Sequence, residues 1–280
     1  MDTSGIGAPD LKLPPRIVRE MLVQFIRDEV RNAGFSRGIV GLSGGVDSAL
    51  VTLLAAEALG KDNLTALLLP YRTSSPASAA DAARVALQAG VRTETVDITP
   101  MVEPFFHSGN GMDNVRKGNV MARQRMIVLY DRSARESALV IGTSNKSEIL
   151  LGYGTQFGDT ACALNPIGDL YKTQVWQLAE EAGVPADIIG KKPTADLWEG
   201  QTDETELGFS YKLADRLLYC MVDERRTDPE LIELGFEKNF ILKVRELVRR
   251  NQFKRRPPVI AKISHRTVNV DFRYSRDWGT

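Results

Sequence analysis

The stretch Ser43-Gly44-Gly45-Val46-Asp47-Ser48 constrains this chain more than any other. The apolar run Gly38-Ile39-Val40-Gly41-Leu42 before it reads as a short buried strand. Residues 48–59 after it are helix formers closed by Gly60. Strand, tight glycine turn, helix: in that order an open α/β sheet holds the phosphates of a nucleotide. Adjacent glycines let backbone N–H groups close on an anion with no Cβ in the way. Ser43 and Ser48 add hydroxyl donors, and the helix start adds a partial positive charge. Asp47 would repel a phosphate unless a divalent cation lay between them, and Mg²⁺ takes one or two carboxylates plus phosphate oxygens. The plainer alternative makes Asp47 a helix cap at a glycine turn.

No Lys follows the glycines, so the Walker pattern is absent. The letters SGG-x-DS instead resemble the loop of the ATP pyrophosphatases, which cut ATP between the α and β phosphates. That resemblance names a superfamily and leaves the substrate open.

Bulk properties narrow the field. The 280 residues are 43% hydrophobic and 26% charged, as in a globular domain. Lys plus Arg equal Asp plus Glu at 36 each, so no global field draws the chain to nucleic acid or membrane. No apolar run reaches membrane length. Residues 1–13 lack a signal-peptide layout and read as a flexible arm. Cys162 and Cys220 show neither metal nor disulfide spacing, so a reducing cytoplasm is expected.

Apolar residues recur at helical spacing from Ile17 to Val30, after Pro14 and Pro15. Strands are expected at 63–70, 91–98 and 138–142, and helices at 76–88 and 113–135. Residues 101–111 read as irregular, with a turn at 109–111 and His107 as a loop residue without a ligand partner. Asn119 and Arg123 share one face of the 113–135 helix. Thr143 follows a strand as a helix cap, and Glu148 sits in the next helix's first turns, where a second carboxylate could complete a metal site begun by Asp47. Residues 152–163 read as a mobile loop, the kind that closes over substrate. Lys172 precedes a helix at 173–182, a polar stretch with Trp198 covers 191–204, and helices follow at 210–223 and 236–250. The basic end 245–256 suits a local phosphate contact or a solvated helix end better than nucleic acid, since no aromatics interleave. The fold expected is α/β: a doubly wound, mainly parallel sheet flanked by helices. One domain would cover 14–260, with a helical annex from about 200 on the same core and a tail at 261–280.

SGGVDS, LPYR, GNVMARQRM, GTSNKSE, LNPIGDLYKTQV, KKPTADLWEGQTDE and KRRPP together resemble the NAD synthetase family over residues 15–260. The resemblance implies a ligase forming a C–N bond. The carboxylate of deamido-NAD attacks the α-phosphate of the co-substrate ATP, pyrophosphate leaves, and ammonia displaces AMP. It implies that Gly41, Leu42, Ser43, Gly44, Gly45, Val46, Asp47, Ser48, Thr143, Lys172 and Thr194 contact ATP. Asp47 and Glu148 would ligate Mg²⁺; Asn119, Arg123, Gln156 and Lys254 would bind the dinucleotide; Asp47, Lys172 and Asp159 would be catalytic. The chain departs from the family where Lys becomes Gln156, Asp becomes Ala163 and His becomes Phe253, which leaves nicotinate mononucleotide open as the acid. Only 42 residues precede SGGVDS, too few for the family's glutamine-using domain, so free ammonia or a separate glutaminase partner is expected. Homodimers are the family rule. A tRNA-thiolating enzyme and an ATP sensor without turnover are the rival readings.

Overall fold

A computed structural model of the chain describes residues 6–108, 111–194, 198, 200–268 and 270–272. Strands β1 (Arg37–Gly41), β2 (Leu64–Leu68), β3 (Arg92–Thr95) and β4 (Ala138–Ile141) form one sheet in the order β3-β2-β1-β4, and every pair is parallel. The register sets Gly38 beside Leu64 and Leu139, and Thr65 beside Arg92. Around the sheet run α1 (Pro15–Asn32), α2 (Val46–Leu59), α3 (Pro76–Ala89), α4 (Thr99–Ser108), α5 (Asn114–Glu136), α6 (Lys146–Leu151) and α7 (Lys172–Glu181). Then come α8 (Ala186–Ile189), α9 (Asp203–Leu207), α10 (Tyr211–Val222), α11 (Asp228–Glu233) and α12 (Lys238–Arg250).

The chain lays β2 and β3 on one side of β1, then returns to place β4 on the other. The strand order therefore reverses between β1 and β4, and the crevice at their carboxyl ends is where such sheets bind ligands. Neighbouring strand residues point to opposite faces. Val40 and Ala66 join Ile26, Leu50, Leu54, Val175 and Leu178 from α1, α2 and α7 on one face. Ile39 and Leu67 meet Val128 of α5 on the other. Apolar residues surround α2 on nearly every side, as suits a helix at the centre of a layer.

Several expectations need correcting. Residues 101–108 are not irregular, because α4 covers Thr99–Ser108. Pro104 hid it, yet its lost N–H would have reached only Pro100, and Asp97 caps the start by accepting the Thr99 N–H at 2.8 Å. His107 lies in that helix, with Nδ1 2.7 Å from the Glu103 carbonyl. The third strand is shorter than 91–98, though Val96 and Ile98 still donate to Leu68 and Pro70 at 2.9 Å. The annex does not share the sheet's core. It has its own around Tyr171, Tyr211, Leu217, Leu218 and Ile241, with Trp176 packed against both. Within the expected arm, residues 6–13 lie on this annex: Arg216 donates to Ile6 O at 2.8 Å and to Ala8 O, and Gly7 N–H donates to Leu234 O at 2.8 Å. Residues 1–5, most of the 109–111 turn and part of 191–204 lie outside the described residues. No helix among the described residues is long and apolar enough to cross a membrane.

Candidate active site

The glycine turn sits at the carboxyl end of β1. Gly44 has φ +85°, and a Cβ there would come within 2.2 Å of the Ser78 carbonyl oxygen, so backbone sign and space both demand glycine. Gly45 is the N-cap of α2 and brings no side chain to the cap. The free N–H groups of a first helical turn suit an anion here. The serines hold the turn in shape: Ser48 Oγ accepts the Ser43 N–H at 3.2 Å and donates to Gly45 O at 3.0 Å. Leu42 and Val46 are buried in the core, Gly41 ends β1, and Ser43 is exposed at the rim.

Asp47 is the second residue of α2 and does not cap it. Its Oδ1 accepts Asn145 Nδ2 at 2.9 Å, and its Oδ2 accepts Lys172 Nζ at 2.5 Å. The same ammonium donates to Glu148 Oε1 at 3.2 Å. These groups stand on α2, α6 and α7, up to 125 positions apart in sequence. Asn145, not Thr143, caps α6, through a capping box with Glu148 (Glu148 N–H to Asn145 Oδ1, 3.0 Å). That box aims Glu148 back at the crevice. Thr143 lies half-buried just after β4, and Thr194 is exposed next to Pro193, whose carbonyl accepts the Asp203 N–H at 3.0 Å.

Burial works against the charge on Lys172, but Asp47 and then Glu148 outweigh it and hold the ammonium above its ordinary range. Burial pushes the Glu148 carboxyl up; Lys172 pulls it back, while Asp47 and Asp203 add to the rise. Asp203 was not anticipated. It opens α9, is 4% exposed, and has one oxygen, Oδ1, without a hydrogen-bond partner. Burial raises its carboxyl too, against the pull of Lys172. Its only trace in the sequence is the acidic first turn Asp203-Glu204 behind Thr202.

Three carboxylates thus face one ammonium, a deficit of positive charge in hard oxygen ligands. Among the described residues no group of three or more His, Cys, Asp or Glu could hold a metal. The charge deficit fits Mg²⁺, which is held by one or two carboxylates and completes its shell with phosphate oxygens and water. Asp47 and Glu148, both now bonded to Lys172, could hold such a cation.

A second cluster lies on the loop after α6. Thr155 Oγ1 donates to Asn119 Oδ1 at 2.8 Å, and Arg123 Nη2 donates to Gln156 O at 3.3 Å. Asp159 Oδ1 accepts the Thr155 N–H at 2.8 Å. Lys254 Nζ donates to Gly152 O and Gly154 O at 2.7 and 2.9 Å, and burial lowers its pKa against the opposing charge of Asp159. Arg255 donates to Leu150 O at 2.8 Å, so the basic end covers the carboxyl end of α6. Asn119, Arg123, Gln156, Asp159 and Lys254 therefore all meet at this loop. Phe157 at its tip has φ +59° and is 57% exposed, a left-handed backbone rare for an aromatic residue. Tyr153 connects the clusters, donating to Glu206 Oε2 at 2.8 Å with the Asp203 carboxylate alongside. Beyond β2, a cavity of 160 Å³ is lined by Tyr71, Arg72, Phe106, Lys117 and Trp198.

Residues 18–258 match the family model described as NAD synthase. An NH3-dependent NAD+ synthetase from Trichlorobacter lovleyi is 57% identical over 96% of this chain and 98% of its own. Among solved structures, the NH3-dependent NAD synthetase of Campylobacter jejuni, in complex with the nitrate ion, superposes with a TM-score of 0.77. It is 34% identical over 90% of this chain and all (100%) of its own. The NMN synthetase of Francisella tularensis gives a TM-score of 0.78 at 32% identity, covering 89% and 99% of the two chains.

Proposed function

Since the chain belongs to the NAD synthase family, we propose that it amidates deamido-NAD to NAD with ammonia, with ATP cleaved to AMP and pyrophosphate. The observation that carries this is the meeting of Asp47, Glu148 and Lys172 where the strand order reverses, beside the glycine turn. A free carboxylate does not acylate ammonia, because its leaving group is too poor. Transfer to the α-phosphate supplies AMP as leaving group, and the departing pyrophosphate needs strong anion stabilisation. The N–H groups of residues 44–48 and the Lys172 ammonium supply it. Asp47 and Glu148 would hold Mg²⁺, which would supply positive charge to offset that of the phosphates. Asn119, Arg123 and Lys254 orient the acid from the loop side, and Asp159, which accepts the Thr155 N–H on the same loop, is the further catalytic candidate. No side chain acts as a nucleophile, so catalysis rests on position and electrostatics. The aromatic cavity beyond β2 suits a flat heterocyclic base.

The exposed Val115, Ile127 and Tyr130 on α5, the helix of Asn119 and Arg123, support a homodimer through that face. Ile17 and Met21 on α1 offer a second apolar patch, and analytical ultracentrifugation (sedimentation velocity) of wild type against Ile127→Glu would separate the two. The free Cys162 and Cys220 support a reducing, cytoplasmic setting.

The deciding assay follows AMP and pyrophosphate release, which should require ATP, Mg²⁺, deamido-NAD and ammonia together. Formation of ADP would overturn the reading. Nicotinate mononucleotide belongs in a parallel arm, because Gln156 and Ala163 line the loop and one structural neighbour is an NMN synthetase. Salt-sensitive tRNA binding would favour the thiolating alternative.

A further inference from the structure

Helix α10 of the annex sets the Tyr211 ring 5.5 Å from the Lys172 ammonium, and it also sends a carboxylate beneath the site. Asp215 is fully buried at 0% exposure. Its Oδ1 accepts Ser147 Oγ at 2.5 Å, and its Oδ2 accepts both the N–H and the hydroxyl of Thr173 at 2.8 Å. Ser147 Oγ in turn accepts the Lys172 N–H at 2.9 Å. Ser147 precedes Glu148, and Thr173 follows Lys172. The N-cap residue of α7, Tyr171, makes no side-chain cap bond. Helix α7 therefore begins inside the protein with two first-turn N–H groups met from other helices, Lys172 by α6 and Thr173 by α10. Such groups need partners when buried, and the position of those partners fixes where the helix starts.

We propose that Asp215 is a positioning residue for the adenylation step. Through Ser147 and Thr173 it locks the start of α6 to the start of α7, and so fixes the Lys172 ammonium against Glu148 and Asp47. Through Asp215 the annex sets the geometry of the nucleotide site from beneath Lys172 and Glu148. Lys172 is the first residue of its helix, so any slip of α7 along α6 carries its side chain with it. Small displacements of a charged group from a developing anion are costly in rate.

This rests on the adenylating function proposed above, so the wild type is assayed first: if it releases no pyrophosphate, that function fails and the inference falls with it. With an active wild type, Ser147→Ala, Asp215→Asn, Thr173→Val and Thr173→Ser are compared with Leu231→Ala, a cavity variant in the annex core. Expected is at least a tenfold fall in kcat for pyrophosphate release in Ser147→Ala, Asp215→Asn and Thr173→Val, with KM for deamido-NAD within twofold of wild type. Thr173→Ser, which keeps the hydroxyl, retains activity, and Leu231→Ala loses thermal stability but not kcat. The double variant Ser147→Ala/Asp215→Asn should be no slower than the slower single variant, because both break one connection. Folded Ser147→Ala and Thr173→Val proteins with kcat within twofold of wild type would overturn the proposal, as would independent, multiplying losses in the double variant. Should Asp215→Asn not fold, Ser147→Ala and the Thr173 pair decide alone.

Discussion

Around Lys172, charges touch charges in a nearly closed space: its side chain is 3% exposed and two carboxylates lie within 3.2 Å. Around Thr155, side chains hold backbone carbonyls of a loop, and the tip residue Phe157 stands in solvent. The first cluster stands on three helix starts, two of them directly after β1 and β4, so its geometry is tied to the sheet. The second stands on one helix face, one loop and the basic end after α12, and its bonds are individually weak and exchangeable with water. The difference assigns the tasks. Chemistry needs fixed charge, and the nucleotide side has it. On the function proposed above, recognition of a large acid would fall to the loop side, whose contacts can exchange with water.

Breaking the stiff side should cost most. Lys172→Met removes the cation aimed at the leaving group, and kcat for pyrophosphate release should fall by about 10²–10³. KM for deamido-NAD should stay near wild type; a comparable rise in that KM would mean the two clusters are not separate. Gly44→Ala forces a Cβ onto the Ser78 carbonyl at positive φ, and should destabilise the fold by about 1–3 kcal/mol in denaturant melts while raising KM for ATP. Next comes the loop. Gln156→Lys should change KM for the acid several-fold and leave KM for ATP untouched, and steady-state kinetics with each substrate varied in turn would show it. An unchanged KM for the acid would remove Gln156 from the site.

A smaller effect concerns pH. Burial lifts the Asp215 carboxyl to about 6, above its ordinary value of 3.8, and the bonds from Ser147 and Thr173 only partly offset this. The folded state therefore holds a proton that the unfolded state releases. The stability this gives is complete below pH 3.8 and is lost as pH rises through about 6. Compared with Asp215→Asn, the wild type should lose melting temperature between those values and run parallel above them. Smallest of all, nucleotide in the cavity beyond β2 should alter Trp198 fluorescence, a change that Trp198→Phe would abolish.

Much of the fold was legible because each βα unit carries its own signals: an apolar run, a turn, a helix of matching length. Those signals are local, and so are the interactions behind them. Helix α4 escaped because Pro104 mimics a breaker, and its single buried side chain, Val102, gives little periodicity. Within the site, Asp47 and Glu148 announced themselves by position after a strand, whereas Asp203 lay in a polar stretch that any solvated turn resembles. Thr143 looked like the cap, but the capping box needs Asn145 three residues before Glu148.

By itself the sequence determined the parallel α/β order, the glycine turn and two of the acids that meet at the crevice, because strand propensity, turn geometry and charge type are properties of short segments. Only the tertiary structure decided that one ammonium joins acids 125 and 24 positions away, that Asp203 faces them, and that the annex has a core of its own. Burial is what makes those charges matter, and burial depends on which distant segments come to lie on top of one another.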